Sequence, residues 1–171
     1  LLSKKDLEKE LNWQFTGVCA LFTYHPVTLE VSDLEAEIKN IFSVLKSLDI
    51  NIIFTYANAD SGGKLINTML EEFCKTDPDK YIVSKSLGQL KYLSAMNYVD
   101  LLIGNSSSGI IEAASYKKPV VNIGDRQKGR LRGLNVIDCK VNTLYESILL
   151  ALSFEFKSRI SDIDNIYGEG K

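Results

Sequence analysis

The stretch Gly104-Asn105-Ser106-Ser107-Ser108-Gly109 has the composition of an anion-binding turn. It follows the apolar run Val99–Ile103 and leads into a helical pattern over Gly109–Tyr116. Backbone N–H groups that open a helix have no partner within it, and small residues let a phosphate approach them closely. Neither the Gly-Lys-Ser/Thr of a P-loop nor the Gly-x-Gly-x-x-Gly of a dinucleotide site is present here. Ser and Gly also favour a plain N-capped turn, so the loop alone leaves both readings open. Glu112 adds weight to the ligand reading. In the first turn of such a helix its carboxylate is stabilised by the dipole, and its two oxygens also suit the adjacent hydroxyls of a ribose.

Other chemistry-bearing residues lie far away in sequence. His25 is the only histidine; it follows an apolar run over 17–24 and precedes Pro26, which fixes the turn. An imidazole there could donate to a phosphate or assist a leaving group. Asn58 and Asp60 lie in the glycine-rich turn Asn58–Gly63, where turn formation is the simpler explanation. Arg126, Lys128, Arg130 and Arg132 fall within seven residues after the apolar run Pro119–Ile123. That is either a solvated basic loop or a contact for a pyrophosphate, with Arg126 nearest the end of the run. No second histidine or acidic cluster completes a metal site.

The elements that must position these residues are legible from periodicity. Ser3–Leu11 reads as a short helix with Ser3 as its N-cap. Val31, Leu34, Ile38, Ile41, Leu45 and Leu48 form an amphipathic stripe at helical spacing. Strands are expected over 17–24, Ile50–Tyr56, Tyr81–Val83, Val99–Ile103, Pro119–Ile123 and Asn135–Cys139, and further helices over Gly63–Lys75, Leu87–Asn97, Gly109–Tyr116 and Thr143–Leu152. Strands alternating with helices through short connections imply a parallel, doubly wound, Rossmann-like α/β sheet. Ligands of such sheets bind beyond the carboxyl ends of the strands, where His25, Asn58, the serine loop and the arginine loop would all lie.

Composition restricts the alternatives. The chain has 171 residues, 45% hydrophobic and 25% charged, as expected of one compact domain. Twenty basic against 22 acidic side chains leave a net charge of −2, which gives no general attraction to nucleic acid or to an anionic membrane. No apolar run reaches the ~20 residues of a membrane helix. Cys19, Cys74 and Cys139 suggest neither a disulfide framework nor a zinc motif, so the expected compartment is the cytoplasm. The scattered aromatics, Trp13 included, read as packing. A chain beginning Leu1-Leu2-Ser3 is expected to be a piece of a longer polypeptide.

Taken together, the segments Thr23–Thr28, Asn58–Gly62, Gly104–Ala113 and Asn122–Arg130 resemble the carboxyl-terminal domain of the hydrolysing UDP-N-acetylglucosamine 2-epimerase family, and the closing Tyr167–Gly170 is similar to a family signature. The resemblance covers essentially the whole chain. It implies one half of a two-domain GT-B protein, residues 1–171 being the UDP-binding half and the amino-terminal domain lying outside this sequence. It implies that His25 contacts the diphosphate and helps UDP depart, that Asn58 meets the nucleotide sugar, and that Ser106, Ser107, Ser108 and Gly109 hold phosphate oxygens. Glu112 would take the ribose hydroxyls, Arg126 the phosphate or sugar end, and the region Lys85–Tyr92 the uracil. The implied reaction abstracts the C2 proton, eliminates UDP and adds water, giving a free 2-epimerised amino sugar such as N-acetylmannosamine for sialic acid-like products. No cofactor or metal is implied, and no nucleic-acid or membrane partner. Proton-transfer carboxylates would come mainly from the amino-terminal domain, so this chain alone is expected to be inactive. Homo-oligomer formation by the intact protein stays open. A GT-B glycosyltransferase, a non-hydrolysing epimerase and a non-catalytic nucleotide-sugar sensor are the alternatives.

Overall fold

The structure, a computed structural model, describes residues 1–27, 30–58 and 62–163. Thr28, Asp60 and the Tyr167–Gly170 signature lie outside them. Six short apolar segments form parallel strands: β1 Cys19–Thr23, β2 Asn51–Thr55, β3 Tyr81–Ser84, β4 Leu101–Gly104, β5 Val120–Ile123 and β6 Val136–Cys139. Their order is β3-β2-β1-β4-β5-β6. The chain winds outward from β1 in one direction, then returns to β1's other side and winds the opposite way. That reversal opens a crevice between the carboxyl ends of β1 and β4.

Alternation along the strands divides the core between two faces. Ala20, Phe22, Ile52 and Phe54 pack with helices α2 Val31–Lys46, α3 Gly63–Lys75 and α6 Leu144–Leu152. Cys19, Leu21 and Ile53 point the other way, onto α1 Lys4–Leu11, α4 Gly88–Tyr98 and the segment Trp13–Phe15. Both faces are therefore dry, which is why the strands read as continuous apolar runs. In α2 the stripe that is buried is Leu34, Ile38, Ile41 and Leu45, while Val31 at the amino end is 62% exposed. Ser3 caps α1 as its position suggests, accepting from the Asp6 N–H at 3.1 Å. The three cysteines are buried free thiols. Among the described residues no helix is long and apolar enough to cross a membrane.

Two helical expectations need correction. The single helix expected over Gly109–Tyr116 is instead α5, Ser107–Ile111, followed by a separate 3-10 turn, Ala113–Tyr116. Bonds from Ser115 N–H to Glu112 O and from Lys117 N–H to Ala114 O tighten this second part, and Lys117 ends it in the left-handed region. A stretch rich in Ser, Gly and Ile has little intrinsic helix preference to resist such a break. The second correction is an additional helix, α7 Phe154–Ile160, whose N-cap Ser153 accepts from the Phe156 N–H at 3.2 Å.

The approach of β1 to β4 is tightest at their carboxyl ends, where Thr23 pairs with Gly104. Gly104 has φ +140°, and a Cβ built on it would lie 1.9 Å from the Thr23 carbonyl oxygen. Only glycine fits there. We expect Gly104→Ala to lower the unfolding free energy by at least about 2 kcal/mol in urea titrations; a loss below about 0.5 kcal/mol would contradict the close approach.

Candidate functional site

The crevice is lined by the ends of β1 and β4 and by the loops after β2 and β5. Asn105, directly after β4, is fully buried. Its Oδ1 accepts from the His25 backbone N–H at 2.8 Å, and its Nδ2 donates to the His25 carbonyl at 2.9 Å. The Asn105 N–H donates to Thr23 O at 3.0 Å. The turn carrying His25 is thus clipped to the serine loop through main-chain bonds. The His25 Nδ1 in turn accepts from the Asn58 backbone N–H at 3.1 Å. A neutral imidazole that accepts at Nδ1 carries its proton on Nε2, which makes that nitrogen a donor. Asn58 is exposed and makes this contact through its backbone.

Ser106 is the N-cap of α5, its hydroxyl accepting from the Ser108 N–H at 3.3 Å. Ser107 opens the helix and is half-buried. Gly109 is buried against the sheet, where a Cβ would come within 3.1 Å of a Val120 methyl. Its lack of a side chain therefore serves the close packing of α5 on the strands. Glu112 is not in the first turn of a helix, as the periodicity suggested, but is the C-cap of α5. It is also the N-cap of the 3-10 turn that follows, with no hydrogen bond from its side chain to that turn. Burial pushes its carboxyl above the usual range.

The arginine loop closes the other side. Gln127, buried, donates to the Asn105 carbonyl at 3.0 Å, and Arg126 Nη1 reaches the same oxygen at 3.4 Å. Arg130 Nε donates to Gln127 Oε1 at 3.0 Å. Arg132 is bound to Asp138 at 2.6 Å and to the Gln127 carbonyl at 3.0 Å. So the basic run is not one solvated patch. Arg130 and Arg132 brace the loop, while Arg126 stands by the serine turn.

A cavity of about 320 Å³ opens beside the serine loop, lined by Thr23, Thr55, Tyr56, Ser84–Gln89, Tyr92, Ser106 and Ser108. Tyr92, from α4, faces the hydroxyls of Ser108, Thr23 and Ser106 there. Burial raises its pKa, and the Glu112 charge adds to that, while the hydroxyl partners oppose it. The Thr23 and Thr55 hydroxyls meet at 2.5 Å on the same wall. On the far side of His25 a second cavity of about 570 Å³ lies among Pro26, Val27, Glu37, Ile123, Arg126 and Lys140. Two larger open grooves, of about 630 and 1090 Å³, run along the β3 edge and beside α1. Neither is lined by His25, the serine loop or Arg126.

The fold thus brings His25, Ser106, Ser107, Ser108 and Arg126 to one edge, with Asn58 at the rim and Glu112 at the end of the short helix. Sequence reasoning missed Asn105 and Gln127 as organisers, while Tyr92 lies in the region Lys85–Tyr92 that the resemblance gives to uracil. An Asn between Gly and Ser reads as a turn former, and nothing in its spacing marks a contact to a histidine 80 positions away. No group of three or more His, Cys, Asp or Glu among the described residues could hold a metal.

The chain is similar to several known proteins. The chain is 46% identical over 157 residues to the GDP/UDP-N,N'-diacetylbacillosamine 2-epimerase (hydrolyzing) of Campylobacter jejuni, covering 91% of this chain and 41% of that protein. It is 37% identical over 154 residues to the UDP-N,N'-diacetylbacillosamine 2-epimerase (hydrolyzing) of Legionella pneumophila, covering 90% and 40%. It therefore spans about two fifths of these relatives' length. In fold it is similar to the Neisseria meningitidis UDP-GlcNAc 2-epimerase solved with UDP-GlcNAc, with a TM-score of 0.70 at 15% identity over 98% of this chain and 45% of that one. The carboxyl-terminal domain of a Francisella tularensis group 1 glycosyl transferase aligns at a TM-score of 0.55 and 11% identity, over 96% and 89%. The profile of the UDP-N-acetylglucosamine 2-epimerase family matches residues 1–171, the whole sequence, and the chain belongs to that family.

Proposed function

We propose that this chain is the UDP-binding, carboxyl-terminal half of a hydrolysing UDP-sugar 2-epimerase of GT-B architecture. The observation that carries the proposal is the convergence of His25, the Ser106–Ser108 loop and Arg126 at the sheet's switch point, next to a cavity suited to a nucleoside. Uracil would enter the cavity between Ser84–Gln89 and Tyr92. The hydroxyls and N–H groups of Ser106, Ser107, Ser108 and Gly109 would take phosphate oxygens, and Glu112 the ribose hydroxyls. Asn58 would meet the sugar end at the rim. In the reaction, a base of the amino-terminal domain removes the C2 proton of the sugar. The C1–O bond to the diphosphate then breaks, leaving a glycal, and one water adds across it to give the free 2-epimer. Two groups of this chain act on the departing UDP: the Nε2–H of His25 and the guanidinium of Arg126 meet the charge that develops on its terminal phosphate. We place the protein in the cytoplasm.

The sugar is a 2-acetamido hexose. UDP-N-acetylglucosamine is the family's general substrate class, and N,N'-diacetylbacillosamine is named for the relatives with 46% and 37% identity. Another relative, at 36% identity, is the polysialic acid biosynthesis protein P7 of Escherichia coli. It favours an amino-sugar product used for sialic acid-like compounds. A glycosyltransferase reading is favoured only by the shared fold of the Francisella domain.

Product analysis on the intact polypeptide in D2O separates these readings. The epimerase reading predicts UDP and a free 2-epimerised sugar with one deuterium at C2, from UDP-N-acetylglucosamine or its diacetylbacillosamine counterpart. Transfer to an acceptor with no deuterium at C2 would contradict it. A second prediction concerns Glu112. Its folded carboxyl titrates above its unfolded value, so its contribution to stability is present below the unfolded pKa and lost as pH rises through the folded one. The melting temperature of Glu112→Gln relative to wild type should accordingly rise between pH 4 and pH 7, while UDP affinity falls ~10- to 100-fold, as for a lost charged hydrogen bond. A variant that melts lower at pH 7 than wild type would show that the carboxylate is a structural support.

A further inference from the structure

Asn105 stands apart from the other buried polar residues because every polar atom of it is hydrogen-bonded within the site, to the turn after β1 or to the loop after β5. Its side-chain amide holds the N–H and the C=O of His25 at 2.8 and 2.9 Å. Its own carbonyl accepts from Gln127 at 3.0 Å and Arg126 at 3.4 Å. A buried amide paired at both ends to one residue's main chain holds the two peptide groups that flank that residue. Side chain and backbone of one residue therefore grip two loops that belong to different strands. The second loop is itself rigid, since Gln127 is bonded by Arg130 and Arg132.

Resting on the function proposed above, we propose that Asn105 is a positioning residue. It sets the separation between the His25 imidazole and the Arg126 guanidinium, and so the geometry in which the departing diphosphate is met. The chemistry at this position specifies an amide. Aspartate would keep an acceptor for the His25 N–H but set a second oxygen against the His25 carbonyl. Alanine would remove both of these bonds to the His25 main chain. A side chain that only filled space would need neither donor nor acceptor.

The test compares Asn105→Ala and Asn105→Asp with Asn135→Ala, a residue equally buried at the start of β6 whose amide donates to the Lys118 carbonyl at 3.0 Å. Three quantities are measured: melting temperature, kcat and KM for UDP release by the intact polypeptide, and the nitrogen-15 spectrum of the single imidazole in the 171-residue chain. Misplacement of reacting groups predicts that kcat falls ~10- to 100-fold in Asn105→Ala while KM changes less than about threefold. The His25 spectrum should shift from one Nε2–H tautomer to a mixture. Asn105→Asp should fall between, and it provides the same readouts if the alanine variant does not fold. Asn135→Ala should lose melting temperature alone. Wild-type kcat and an unchanged His25 spectrum in folded Asn105 variants would overturn the proposal, as would losses that only follow the fraction unfolded. If the wild-type polypeptide releases no UDP from either UDP-sugar, the proposed reaction fails. The His25 spectra would still decide whether Asn105 sets the imidazole.

Discussion

The close pairing of Thr23 with Gly104, at the carboxyl ends of the two central strands, is the contact on which the rest of the site depends. Because Gly104 has no side chain, the chain can leave β4 against the Thr23 carbonyl, and Asn105 then lands beside the turn that follows β1. From there the amide of Asn105 reaches both main-chain groups of His25, and its carbonyl collects Gln127 and Arg126. Residues separated by about 80 and 20 positions in sequence are thereby set around one crevice. The two apolar faces of the sheet support this by packing the strands between helices on both sides.

Electrostatics at the crevice differ from the protein's average. The net charge of −2 gives no attraction toward a polyanion, yet the loop beyond β5 presents Arg126 beside a turn of small hydroxyl residues. Further along the same loop, Arg130 and Arg132 are spent on bracing, through Gln127 and Asp138. Glu112, between the end of α5 and the start of the 3-10 turn, is held in partial burial that raises its pKa.

The order of strands and helices was legible because parallel strands covered on both faces are continuous apolar runs, and the intervening helices show a clear stripe. The switch-point rule then placed His25 and the serine and arginine loops at the same edge. Two things were not legible. The break after Ile111 depends on local bonds from Ser115 and Lys117 that no periodicity announces, and it moved Glu112 from the start of a helix to its end. The roles of Asn105 and Tyr92 depend on contacts across strands and from α4, which spacing alone does not encode. Arg130 and Arg132 could not be told from Arg126 by type; only the direction of their hydrogen bonds separates bracing from presentation.

The most direct test of the central claim is a crystal structure of this chain with UDP. The account predicts the base in the cavity between Ser84–Gln89 and Tyr92, and the diphosphate within hydrogen-bonding distance of the Ser106–Ser108 loop. His25 and Arg126 would stand on the diphosphate's outer side, still clipped by Asn105. UDP bound in the groove along β3, or at the switch point with the phosphates turned away from His25 and the serine loop, would contradict it.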